Sequence, residues 1–538
     1  MCVKWLPLMD APLDISAPWV QKSAPARKLR DDSVAQVQPA LSGLPDVLPQ
    51  NSQRLLREVL TAREFELTEN YTANELLAKL QSRELSSEEL TRAFLRRAAL
   101  AHAATNCLTE LQWDDAIERA KYLDSLPEPI GPLHGLPIST KEHQGTKGRN
   151  KTTNASYVAY DAGCVFFART TQPQAIMHLE TVSNIYGRTT NPYNNTLTPG
   201  GSSGGESALI GIRGSLLGLG GDIGGSIRVP AAHCGIYGLK PSDQRLPLSG
   251  AAGHMFGKET ILATNGPMST DRDSLSLFMK VVLDAQPWRL EPALKVAPWI
   301  PYRFTRPLKI AVQWTDCVVQ PHPPMIRALR EVSEACKASG HTIVEWNCGK
   351  LNHQKGWELL ESLFYPDGGK YVRDLMKQAG EPILPLTKWI MEQVHVKDLT
   401  MHELWKACSE REAYRMMYAK AWSATADEDG QEVDVILCPP NFGAATPHKQ
   451  SKYWGYSSIW NLLDYPGVVF PVTTVDPAKD PKDAMYKPRN AEDEFVYHLY
   501  DPATFKDAPV GLQVIGRRHC DEKVMAALEL IENAMGRK

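Results

Sequence analysis

No stretch of this 538-residue chain is apolar for the roughly 20 residues that a membrane helix needs, so no membrane span is expected. Its ten cysteines include no Cys-x-x-Cys pair, which fits reduced, mostly buried thiols in an intracellular protein. Charge of one sign is also lacking: 59 Lys and Arg stand against 62 Asp and Glu, for a net charge of −3. The cations are scattered, so there is no electrostatic footprint for nucleic acid. The segment Trp5-Leu6-Pro7-Leu8-Met9 is too short for the apolar part of a signal peptide and stops at Asp10. A cytoplasmic protein is therefore expected, and Asn70-Tyr71-Thr72 and Asn154-Ala155-Ser156 are read as chance glycosylation patterns.

Several catalytic spellings are missing too. No Gly-x-Gly-x-x-Gly can be placed after a strand. Residues 253–258 end in Gly-Lys, but Ala252 stands where a phosphate loop needs its first glycine and Glu259 where it needs Ser or Thr. Both nucleotide readings fail. No Gly-x-Ser-x-Gly elbow occurs, which argues against an α/β-hydrolase triad. No internal repeat is visible.

What is present fits a soluble globular chain, 43% hydrophobic and 22% charged. Residues 1–50 are Pro-rich and weakly periodic, and read as an extended or partly disordered arm with a short helix near residues 19–30. Residues 52–126 are helical in pattern. Thr72-Ala73-Asn74-Glu75 and Ser86-Ser87-Glu88-Glu89 resemble helix starts, and Leu90, Phe94, Leu95 and Ala98 share one face. Strands are expected at 165–168, 308–312, 341–346, 433–437, 468–472 and 510–516, and helices at 324–339 and 521–535. Residues 351–425 read as helices rich in Trp, Leu and Met. Strands recur after them, so 51–538 reads as a single α/β domain with a helical insertion.

Two serine-glycine loops carry the chemical signal: Gly200-Gly201-Ser202-Ser203-Gly204-Gly205 and Gly221-Asp222-Ile223-Gly224-Gly225-Ser226. Dense glycine suggests close backbone approach or unusual dihedrals. Leu209, Ile210, Leu216, Leu217, Leu219, Ile227 and Val229 interrupt the block, so it looks buried rather than like a linker. A serine nucleophile needs a base. His233 lies seven residues beyond Ser226, but nothing marks an acid partner for it, and it is read as structural. Lys141, after the apolar Leu136-Pro137-Ile138, is the other candidate. Cys234 has no metal-ligand spacing. Asp427-Glu428-Asp429-Gly430 lacks ligands at Thr425 and Ile436 and reads as a solvated turn.

With these residues in view, the chain resembles the amidase signature family. Gly131-Pro132-Leu133-His134-Gly135-Leu136-Pro137-Ile138-Ser139-Thr140-Lys141 looks like the family's lysine motif, and residues 200–230 look like the signature itself. Gly235-Ile236-Tyr237-Gly238-Leu239-Lys240-Pro241, Asn265-Gly266-Pro267-Met268 and residues 509–516 also match. The resemblance runs from about residue 70 to the C-terminus and is most similar in overall wording to fungal amidases of the acetamidase type. It implies an α/β amidase-signature fold, with a central mixed sheet covered by helices on both faces.

The resemblance further implies a Ser–cis-Ser–Lys triad at Ser226, Ser202 and Lys141. Ser226 would attack the amide carbonyl, Ser202 would pass the proton and Lys141 would be the final base. Backbone N–H groups of Ile223, Gly224, Gly225 and Ser226 would form the oxyanion hole, helped by a helix starting after Ser226. Ser203 would support the network, and Asp222 and Arg228 would hold the loop. Met177 would lie near the substrate carbonyl by family analogy, with core packing as an equal alternative. A lysine base must be desolvated, because its reference pKa of about 10.4 leaves almost none of it neutral at pH 7.

One departure from the family stands out. Between the Lys141 loop and the strand at 165, on the order of ten residues are missing, about one helix's worth. Loss of a packed helix would expose apolar surface and could displace Lys141, which leaves the fold expectation in place and puts activity in question. The main functional expectation is hydrolysis of a carboxylic amide to an acid and ammonia or an amine. The alternatives are an amidotransferase subunit and a catalytically impaired homologue that acts as a binding protein. The expected partner is a small-molecule amide, with a homodimer left open. No metal and no organic cofactor is called for.

Overall fold

The computed structural model describes residues 14–45, 47–55, 59–145, 154–253 and 257–537. Residues 5–9 and three residues of 253–258, singled out above, lie outside the described residues.

The strands are β1 (Leu108–Leu111), β2 (Pro137–Lys141), β3 (Val165–Thr170), β4 (Val182–Ser183), β5 (Gly187–Arg188), β6 (Leu217–Asp222), β7 (Tyr237–Lys240), β8 (Thr264–Ser269), β9 (Lys309–Val312), β10 (Thr342–Glu345), β11 (Val435–Cys438), β12 (Gly467–Thr474) and β13 (Pro509–Ile515). Among the described residues, eleven of them form one sheet in the order β1-β3-β2-β6-β8-β7-β12-β13-β11-β9-β10. β4 and β5 pair separately. The sheet is mixed: β3, β2 and β6 run parallel to one another, as do β11, β9 and β10. The strands between them pair antiparallel. β11 and β13 are buried at every residue, which explains why they read as continuous apolar runs rather than alternations.

Both anticipated helix starts occur. Thr72 Oγ1 accepts the Glu75 amide, and the Glu75 carboxylate accepts the Thr72 amide at 2.7 Å. Ser86 Oγ accepts the Glu89 amide at 3.1 Å. The helix Ser87–Thr105 is buried far beyond the expected face, Arg96 and Arg97 included. Glu64 and Glu69 take those guanidinium groups at 2.7 and 2.6 Å, which is how two charges enter the core.

The N-terminal region differs from an extended arm. Pro18–Ala35 is an 18-residue helix, longer than the short helix expected near 19–30. Its first helical position is proline, whose fixed φ suits that place. Its seat is tertiary: Ser33 Oγ accepts the amide of Leu111 on β1 at 3.0 Å.

The helices His353–Phe364, Lys370–Ala379, Pro385–Met391 and Met401–Ser423 lie between β10 and β11 in the chain. β9 sits between these two strands in the sheet, so both ends of the helical segment return to one strand. No helix among the described residues is long and apolar enough to cross a membrane.

Of the short span after Lys141, residues 146–153 lie outside the described residues, and the part that leads into β3 is described. The helix Ala155–Asp161 leads through Ala162 and Gly163 straight into β3. The amide of Leu133 donates to the Ala162 carbonyl at 3.0 Å, and that of Gly135 to Gly163 at 2.9 Å. Phe166, Phe167 and Ala168 are buried. β3 stays in parallel register with β2 from Val165 opposite Pro137 to Thr170 opposite Lys141. Backbone bonds thus tie the end of this helix to the 131–135 turn, and Lys141 ends β2 as a buried residue.

Candidate active site

Adjacent parallel strands end at the same edge of a sheet. β2 and β6 are such neighbours, so Lys141, the last residue of β2, and Asp222, the last residue of β6, arrive at the same edge, with β6 running on past Lys141. The segment before the helix Gly204–Gly211 brings Ser202 to this edge, and the turn after β6 brings Ser226. Lys141, Ser202, Ser226, Ile223 and Met177 line one cavity of about 410 Å³.

Lys141 Nζ lies 2.6 Å from Ser202 Oγ, and the Gly201–Ser202 peptide is cis. Lys141 is 1% exposed, and burial pushes its ammonium down to about 7, against the pull of Asp222 and Glu206. The Ser203 amide donates to the Ser226 carbonyl at 3.1 Å, which ties the two serine loops together. Ser203 Oγ sits 3.3 Å from both the amide and the carbonyl of Gly221.

The turn carrying Ser226 is built around Asp222. Its carboxylate accepts the amides of Gly225 at 2.8 Å and Ile227 at 3.1 Å, two guanidinium contacts from Arg228 at 3.1 Å, and Asn461 Nδ2 at 2.9 Å. Burial alone would raise this carboxyl, but the Arg228 guanidinium holds it well below the usual carboxylate range. Arg228 also donates to the Ser457 carbonyl and to Asn461. Ser457 Oγ donates to the Gly224 carbonyl at 2.7 Å. Gly225 has φ +122°, and a side chain there would collide with Ser457.

Two observations bear on the expected oxyanion site, and the helix expected after Ser226 is present with Pro230 in its first turn. The Gly225 amide is engaged by Asp222 and does not face the cavity freely. The helix after Ser226, Arg228–His233, has only six residues. Met177 lines the cavity and also belongs to a buried apolar cluster with Leu179 and Val229.

The residues read as structural are placed accordingly. His233 is buried beside Asn441, and burial pushes its imidazole down to about 3. Cys234 is buried with its Sγ toward the Pro199 carbonyl. Asp427 pairs with Lys309 at 3.2 Å. The described residues contain no group of three or more metal-ligating side chains.

Sequence reading gave no role to Glu206, Ser457, Asn461 or His143. Glu206 accepts hydroxyls from Ser139 on β2 and, at 2.6 Å, from Thr170 on β3, and burial pushes its carboxyl up to about 7. It clamps the Ser202-bearing segment onto the strand that ends in Lys141. A lone acid inside the apolar Gly204–Gly211 helix was the available signal. Ser457 and Asn461 stand more than 200 residues downstream of the loops they hold, with no local mark. His143 lines the cavity two residues after Lys141, and burial pushes its imidazole well below its ordinary value.

Comparison with known proteins agrees with this architecture. The amidase family model matches residues 89–525. The chain is 38% identical over 506 residues to an acetamidase of Emericella nidulans, covering 89% of this chain and 91% of the relative. It is 37% identical over 504 residues to an acetamidase of Aspergillus oryzae, with 89% and 92% covered. Among solved structures, fatty acid amide hydrolase superimposes with a TM-score of 0.90 at 33% identity, over 98% of both chains. The chain belongs to the amidase family, whose members are hydrolases of amide C–N bonds.

Proposed function

We propose that this amidase cleaves a carboxylic amide through an acyl-enzyme on Ser226, with Ser202 as proton relay and Lys141 as base. The observation that carries the reading is the 2.6 Å contact between a buried lysine and Ser202 in the cavity that also holds Ser226. With its proton lost, Lys141 takes the Ser202 hydroxyl proton as Ser202 takes that of Ser226. The Ser226 oxygen bonds to the amide carbon, and the carbonyl oxygen becomes an oxyanion. The amides of Ile223, Gly224 and Ser226 are assigned as its donors, because that of Gly225 already donates to Asp222. Gly225 thus contributes its backbone conformation. Collapse breaks the C–N bond, and the proton returns through Ser202 to the leaving nitrogen. Water then attacks the acyl group by the same relay and releases the acid.

Asp222, Arg228 and Ser203 are assigned to holding these loops. Met177 is assigned to the wall beside the substrate. A fluorophosphonate probe tests the nucleophile: labelling should map to Ser226 and disappear in Ser226→Ala, together with ammonia release from simple amides. Labelling that persists in that variant would overturn the assignment.

A further inference from the structure

A pair of cysteines lies outside the cavity. Cys317 occupies the loop after β9, and Cys348 opens the short turn Cys348–Lys350 after β10. They are 31 positions apart, and their Sγ atoms are 2.8 Å apart. A disulfide spans about 2.0 Å, so the sulphurs need to approach by less than about 1 Å. Cys317 is exposed while Cys348 is buried. Cys107, Cys164, Cys234, Cys336 and Cys438 are buried as well and Cys408 and Cys520 are half-buried, which leaves Cys317 as the most exposed thiol among the described residues.

We propose that Cys317 and Cys348 are a redox modification site that closes to a reversible intrachain disulfide under a peroxide oxidant. Exposure selects Cys317 as the attacking thiol, since burial pushes the Cys348 thiol up. The Cys317 thiolate attacks one peroxide oxygen and the O–O bond breaks. Cys317 becomes a sulfenic acid, and the departing hydroxide takes up a proton as water. The Cys348 sulphur then attacks the Cys317 sulphur. The S–S bond forms, the S–O bond breaks, and the second hydroxide takes the Cys348 proton. Two thiols lose two electrons and one peroxide becomes two waters. A dithiol reductant reverses the bond.

The bond joins two segments of one sheet edge. β10 is the terminal strand beside β9, and the bond links the loops that leave these two strands. Cys348 Sγ already donates to the Thr315 carbonyl at 2.8 Å. The same loop is anchored on its other side, where Asp316 accepts the amides of Val318 and Val319 at 2.9 Å and the hydroxyl of Tyr453. Closing the loop between positions 317 and 348 restricts the unfolded chain, so oxidation should raise the thermal midpoint.

The test treats reduced full-length protein with hydrogen peroxide, alkylates free thiols and maps peptides by mass spectrometry. The expected result is a linked Cys317–Cys348 peptide, lighter by two hydrogens than its parts and released by dithiothreitol. Cys348→Ser should leave Cys317 trapped as a sulfenic acid that dimedone labels. The oxidation-dependent rise in thermal midpoint should vanish in Cys317→Ser and in Cys348→Ser. Full alkylation of both thiols after peroxide would overturn the proposal, as would pairing of Cys317 with any other cysteine or with a second chain.

Discussion

At the scale of single residues, the site depends on a lysine that burial keeps near neutrality. Lys141 sits at about 7, well below its ordinary value. In the proposed role of base it would work when unprotonated, so kcat/KM should rise with pH and level off above about pH 7. A correctly folded Lys141→Ala variant should lose that limb along with most of its activity, and a pH–rate series on both proteins checks this. The same shift enters stability. Below about pH 7 the lysine is charged in both the folded and unfolded states, and the folded state carries the full desolvation penalty. Between about 7 and about 10.4 the unfolded chain binds more protons, so stability rises with pH across that window. Lys141→Met should therefore be more stable than the wild type at neutral pH and below. That gap should narrow towards pH 10, as read by urea unfolding at several pH values. Glu206, raised to about 7, has the opposite sign between about 4.5 and 7, and because Lys141 pulls it down, the comparison is read above that window, between pH 7 and 10.

At the scale of elements, the catalytic turn is a loop whose shape is imposed by a distant helix. Asp222 is ionised and fully buried, and its charge is met by Arg228, by backbone amides and by Asn461 from the helix Gly455–Leu463. Breaking such a pair by removing one partner leaves a buried charge uncompensated, which costs about 3–5 kcal/mol. Arg228→Ala should lose that much stability, seen as a lower urea midpoint at unchanged slope, and should lose activity as the Ser226 turn relaxes. The two loops themselves were legible in the sequence because glycine density and serine placement are local properties. Their supports were not, because Ser457 and Asn461 reach the site only through folding. The helix starts at Thr72 and Ser86 were readable for the same local reason: a cap needs only a hydroxyl and a carboxylate three residues apart. The Pro18–Ala35 helix was readable only in part, since Ser33 and its seat on β1 supply what periodicity did not.

At the scale of the whole molecule, β9 receives both β10 and β11, the strands on either side of the helical segment. Trp422, near the end of that segment, donates to the Val433 carbonyl just before β11. Helices fastened at both ends to one sheet should not melt apart from it. Calorimetry should accordingly show a single unfolding transition, whereas an earlier separate peak would mark residues 351–425 as an independent unit. The sequence by itself determined the family, the alternation of strands and helices, and the identity of Lys141, Ser202 and Ser226, because each is written in contiguous residues. Only the tertiary structure decided that Lys141 reaches Ser202, that Glu206 and Asn461 brace the loops, and that Cys317 meets Cys348. Those are contacts between positions tens to hundreds of residues apart, fixed by the order of strands in the sheet and by the burial that comes with it.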